Sequence, residues 1–62
     1  MAKLDTLKLR VELAKIDKNY AWLARQIGYT RAYISYIVKN ESLMHIEKIA
    51  STLGLKTKDL IK

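Results

Sequence analysis

Between Asn19 and Asn40 the chain reads NYAWLARQIGYTRAYISYIVKN, and no other stretch restricts the fold as tightly. Tyr20, Leu23, Ala24 and Ile27 recur at i, i+3, i+4 and i+7, the spacing of a single buried stripe on a helix. Asn19 stands where its side chain can cap that helix. Gly28 ends it, supplying the positive φ of a C-terminal turn without a Cβ clash. Thr30 then caps a further helix over about 31–38. At about 100° per residue, Ile34, Ile37 and Val38 share its core side. The opposite side carries Ala32, Ser35, Tyr36 and Lys39, with Arg31 and Tyr33 on its flanks near the N-terminal end. A face of Arg, Tyr, Ser and Lys is well supplied for contacting a nucleic acid.

The flanking segments read as helices that hold this pair. Residues 1–18 contain a first helix that Asp5 or Thr6 can cap. Leu7, Val11 and Ala14, with Leu4 just before them, form one apolar stripe; Leu9, Leu13 and Ile16 form another roughly opposite. Either both stripes are covered by the other helices, or one is a protein-protein surface. Trp22 lies off the stripe of its own helix, where it either packs beside Ile16 over the edge of the first helix or anchors a partner. A fourth helix is expected over about 43–53, capped by Asn40 or Ser42, stopped by Gly54, and buried along Leu43, Ile46, Ile49, Ala50 and Leu53. His45 lies off that stripe and reads as an ordinary surface residue. Thr57 can cap one last turn over about 58–61. Met44, Leu60 and Ile61, with Trp22, are the residues for a dimer or partner surface.

Composition limits the alternatives. A chain of 62 residues has room for one domain, and burial of only about 60% of the unfolded surface argues against a large enclosed active site. With no Pro and two Gly, little interrupts helices, and no run alternates long enough for a sheet. Lys plus Arg number 12 against 6 Asp plus Glu, a net charge of +6 that favours a polyanionic partner. Without Cys there is no disulfide or thiolate metal site, as suits a reducing compartment. No apolar run approaches the roughly 18 residues of a membrane span, and no signal peptide is visible. The expectation is a soluble cytoplasmic protein with no membrane partner. One His, no glycine-rich phosphate loop and no HExxH spacing give no basis for catalysis, a metal, a cofactor or a small-molecule substrate.

Leu23-Ala24, Gly28, Thr30, Ile34-Ser35 and Ile37 follow the spacing LA, three residues, G, one residue, S/T, three residues, I-S, one residue, I. In this the chain resembles the lambda-repressor-like (Cro/cI) helix-turn-helix family, and is most similar to its small phage Cro members. The likeness extends over about 5–61 and implies an all-α, compact four- to five-helix domain whose second and third helices form the helix-turn-helix. Small Ala24 lets those helices approach, Gly28 makes the turn, and the aliphatics fix the third helix so that its outer face enters the major groove. The resemblance implies that Arg31, Ala32 and Tyr36 read bases, with Tyr33 beside them. It places phosphate contacts at Asn19, Tyr20, Thr30, Ser35, Lys39 and Asn40.

Two departures from the family pattern stand out. Val38 occupies the position of a Glu that pairs with an Arg of the first helix, which leaves Arg10 for a phosphate. The loop after the third helix is shortened by about three residues, to Lys39-Asn40-Glu41-Ser42. The function implied is a sequence-specific regulator of double-stranded DNA, a Cro-like repressor that binds a palindromic operator as a weak homodimer formed on DNA. The alternative is a small phage or mobile-element antirepressor or accessory protein that engages another regulator through its apolar surface.

Overall fold

The computed structural model describes residues 2–62. Four α-helices follow one another, α1 (Thr6–Lys15), α2 (Tyr20–Ile27), α3 (Arg31–Lys39) and α4 (Ile46–Thr52), and a 3-10 turn, Thr57–Leu60, comes last. The first three helices start where a short polar side chain meets their unpaired amides. The Asp5 carboxylate accepts from the Lys8 amide at 3.1 Å, Asn19 Oδ1 from the Trp22 amide at 3.0 Å, and Thr30 Oγ1 from the Tyr33 amide at 3.1 Å. Gly28 has φ +81°, and the Tyr29 amide reaches back to the Ala24 carbonyl at 2.8 Å, closing α2.

The fourth helix departs from the sequence expectation. It begins at Ile46 rather than near 43, because His45 takes a left-handed conformation, φ +59°, that no helix continues through. Both expected caps are engaged elsewhere. Ser42 Oγ accepts from the Met44 amide at 3.1 Å in a local turn, and Asn40 Nδ2 donates to the Tyr36 carbonyl at 2.8 Å, closing α3. At its other end α4 stops as expected at Gly54, with the Leu55 amide donating to the Ala50 carbonyl at 2.8 Å. The last turn starts one residue earlier than expected. The Asp59 carboxylate supports it by accepting from the Lys56 amide at 2.9 Å.

Leu4, Leu9, Leu13, Leu23, Ala24, Ile34, Ile37, Ile49, Ala50 and Leu60 make the buried core, and no polar or charged residue among those described is buried with them. Tyr20, Ile27, Val38 and Ile46 pack half-buried around it, as their helical phasing predicts, and Leu43 and Leu53 join them from outside the bounds of α4. On α1 only one stripe turns inward. Leu9 and Leu13 are buried, whereas Leu7 and Val11 are 65% and 42% exposed and Ala14 is exposed beside them. Leu4 parts from the second group, and Ile16 from the first, because each lies beyond an end of the helix and follows a different backbone direction.

Leu60, expected on a dimer or partner surface, is fully buried. The cause is a pairing between the two ends of the chain. Leu4 and Ile61 form an isolated antiparallel bridge, the Asp5 amide donates to the Leu60 carbonyl at 2.7 Å, and the Lys62 amide donates to Lys3 at 2.7 Å. This directs Leu60 inward while Ile61 remains 40% exposed.

Candidate nucleic-acid interface

The helix-turn-helix is built as its spacing requires. Buried Ala24 carries only a methyl where α2 packs on α3, and buried Ile34 and Ile37 set the rotation of α3 about its axis. With those two facing inward, Arg31, Ala32, Tyr36 and Lys39 are exposed, and Tyr36 keeps 57% of its surface free. Tyr33 and Ser35 are half-buried at the margins of this face. Spanning nine residues at about 1.5 Å each, α3 is about 13 Å long, comparable to the width of a B-DNA major groove, about 12 Å.

Charge is distributed to match. From Lys18 to Asn40 the sequence holds Lys18, Arg25, Arg31 and Lys39 and no carboxylate. The ion pairs among the described residues lie outside this stretch: Lys8 and Lys15 pair with Glu12 on α1 at 3.3 and 2.8 Å, and Lys3 of the N-terminal segment pairs with Glu41 of the loop after α3 at 3.9 Å. Hydrogen bonding from Lys15, reinforced by Lys8, holds the Glu12 carboxyl below its ordinary range. Arg10, exposed on α1, is in none of these pairs, in keeping with the absence of a Glu at Val38.

The other positions at which the resemblance implies phosphate contacts divide by what their polar atoms already do. Thr30 and Asn19 spend one acceptor each on capping, and Thr30 keeps a hydroxyl proton. The amides of Arg31 and Ala32 lie in the first turn of α3, where no helical carbonyl can reach them. Lys39 and Asn40 are exposed at its other end. Tyr20 is the exception. Its hydroxyl is buried and meets no hydrogen-bond partner among the described residues, so the phosphate contact assigned to it by resemblance has no reachable atom. The ring follows the buried stripe of α2, and the hydroxyl is carried in with it.

One cluster escaped the sequence reading. His45, expected as an ordinary surface residue, joins two tyrosines: Nδ1 lies 3.0 Å from the Tyr29 hydroxyl and Nε2 3.0 Å from that of Tyr33. The rings of Tyr29 and Tyr33 meet edge to face at 5.2 Å, and those of Tyr33 and Tyr36 are parallel at 6.4 Å. Lys48 Nζ donates to the Tyr29 hydroxyl at 3.3 Å and sits 5.4 Å from the centre of that ring. The left-handed turn at residue 45 makes this possible, since it directs the imidazole back toward α3 from the start of α4. Tyrosines at 29, 33 and 36 were the available signal, but nothing in local spacing pairs them with residue 45.

Among the surface positions, Met44 is 54% exposed. Trp22 is half-buried against the core, with the Lys18 ammonium 5.8 Å from its ring centre. No helix of the described residues is long and apolar enough to cross a membrane. No curated protein and no solved structure gives a significant match to the chain. The model of the Cro/C1-type HTH DNA-binding domain matches residues 8–62, from α1 through the last turn, and the chain therefore belongs to the Cro/C1-type family of helix-turn-helix DNA-binding domains.

Proposed function

We propose that residues 1–62 act as one unit, a Cro-like transcriptional repressor that places α3 in the major groove of a palindromic operator. The observation that carries this reading is the outer face of α3: Arg31, Ala32, Tyr36 and Lys39 stand free on the second helix of a helix-turn-helix, within a segment that has four cations and no carboxylate. Arg31 pairs with guanine N7 and O6, and Ala32 and the Tyr36 ring meet thymine methyls. Lys39, Asn40, Thr30, Asn19, Ser35 and Arg10 hold the phosphates and fix the register. Repression follows from occupancy of promoter DNA and needs no cofactor.

The dimer forms on DNA. Half-sites one turn apart lie about 34 Å from centre to centre, and the Cα trace of the chain extends 28 × 22 × 17 Å, so copies on neighbouring half-sites come within side-chain reach of one another only along the longest dimension. Met44 and Ile61 are the exposed apolar residues near which such a contact is sought. A second reading, an accessory protein that engages another regulator, draws on the exposed Leu7–Val11–Ala14 stripe of α1.

Sedimentation with and without a palindromic duplex selected from a random pool separates the two. The repressor reading expects monomers alone and two copies per selected duplex. Failure to select any sequence, or one copy per palindrome, overturns it.

A further inference from the structure

We propose that His45 is a positioning residue for DNA recognition, holding the Tyr33 hydroxyl as a fixed hydrogen-bond donor so that Tyr33 reads an acceptor on the DNA. The inference rests on the reading that α3 faces DNA. It follows from the accounting of protons along four side chains. The Lys48 ammonium has no lone pair, so at 3.3 Å it donates and the Tyr29 oxygen accepts. An oxygen polarised by a cation is a stronger donor through its own proton. Polarisation by the cation thus favours donation from the Tyr29 hydroxyl to His45 Nδ1, 3.0 Å away, over acceptance of a second proton from it. A neutral imidazole that accepts at Nδ1 carries its proton on Nε2, and Nε2 donates to the Tyr33 oxygen at 3.0 Å. The proton of Tyr33 is then unused among the described residues.

The ring that carries this proton is also held in place. Tyr33 lies edge-on to Tyr29, parallel to Tyr36 and 5.7 Å from the imidazole, three neighbours that limit its rotation. Because the oxygen faces Nε2, the remaining O–H is a donor without a competing choice. Its complement on DNA is an acceptor, either a phosphate oxygen or a base-edge atom such as purine N7, guanine O6 or thymine O4. A donor fixed before binding loses less freedom on contact than a free hydroxyl.

The test has one arm without DNA and one with it. His45 is the single histidine, so its imidazole nitrogen-15 resonances are unambiguous. In the neutral imidazole they are expected to show a protonated Nε2 and a bare Nδ1. Tyr29→Phe removes the donor to Nδ1 without altering the backbone at 45, and should shift the tautomer toward Nδ1–H and weaken DNA binding. On a selected duplex, Tyr33→Phe is expected to weaken binding about tenfold, the factor of one hydrogen bond. His45→Asn, a residue that tolerates the left-handed backbone, should weaken it several-fold, and the double variant should be no weaker than Tyr33→Phe alone. A loss equal across sequences assigns the acceptor to phosphate; a loss confined to the selected sequence assigns it to a base.

A protonated Nδ1 in the wild-type protein, an unaffected Tyr33→Phe, or additive losses in the double variant overturns the inference. Arg31→Ala serves as the reference. If it weakens binding and Tyr33→Phe does not, the relay fails while the DNA-binding reading stands; if the wild-type protein binds no duplex, both fail.

Discussion

The amide of Asp5 donates to the carbonyl of Leu60 across 2.7 Å, so the residue that caps α1 also ties down the final turn. This bond aligns the two ends of the described chain and delivers Leu60 to the core. Leu60→Ala therefore removes a fully buried side chain and is expected to cost about 2–5 kcal/mol, a large fraction of what a domain of this size has. Ile61→Ala, one residue on and partly exposed, should cost well under about 1 kcal/mol. Chemical denaturation of both variants checks the contrast, and equal losses would show that Leu60 is not packed as described.

Tyr20 makes the opposite case. Its hydroxyl is buried without a partner among the described residues, so Tyr20→Phe is expected to stabilise the fold by about 1 kcal/mol. DNA affinity should be unchanged, since the removed atom cannot reach a phosphate. Thermal unfolding and duplex titration of this one variant decide both points. A loss of affinity would restore the contact implied by family resemblance.

Gly28 isolates a backbone effect. A Cβ there would meet no atom within 4 Å, yet φ is +81°. The left-handed penalty for alanine, about 1–2 kcal/mol, is partly offset by the reduced freedom of the unfolded chain, about 0.4–1 kcal/mol. Gly28→Ala should thus destabilise by about 1 kcal/mol, and Gly28→Asn by less. The order of the two midpoints in urea is the measurement, and the reverse order would contradict it.

Two cations on α3 are expected to behave differently on DNA. Arg31→Ala should cost about 1–3 kcal/mol and relax sequence preference, as loss of a base contact does. Lys39→Ala should weaken all duplexes alike and lower the slope of log affinity against log salt by about one. Titrations on specific and scrambled duplexes across a salt series distinguish these signatures. If the two variants behave alike, the division between base and phosphate contacts is wrong.

What the sequence made legible was local. Asn19, Gly28 and Thr30 act within four residues of themselves, and the stripes of α2 and α3 obey a helical period, so the helix-turn-helix and its outer face could be read residue by residue. What it concealed depended on distant partners. The burial of Leu60 requires the pairing of Leu4 with Ile61, and the late start of α4 requires the left-handed His45. His45 lies 16 residues from Tyr29 and 12 from Tyr33, and no local pattern marks a contact at that range. On α1 two apolar stripes competed for one core, and only the packed structure decides that Leu9 and Leu13 are inside and Leu7 and Val11 outside.

The link between Tyr33 and His45 limits how this molecule can be given a new target. On the proposed reading Arg31, Ala32 and Lys39 touch solvent and can be exchanged as a set, whereas Tyr36 lies parallel to the Tyr33 ring and helps to hold it. Position 33 belongs to a different class, because its hydroxyl is bonded to a loop outside the helix. A graft that replaces Tyr33 without also redesigning residue 45 leaves an imidazole nitrogen without its tyrosine. Retargeting therefore means rewriting two segments of the chain together.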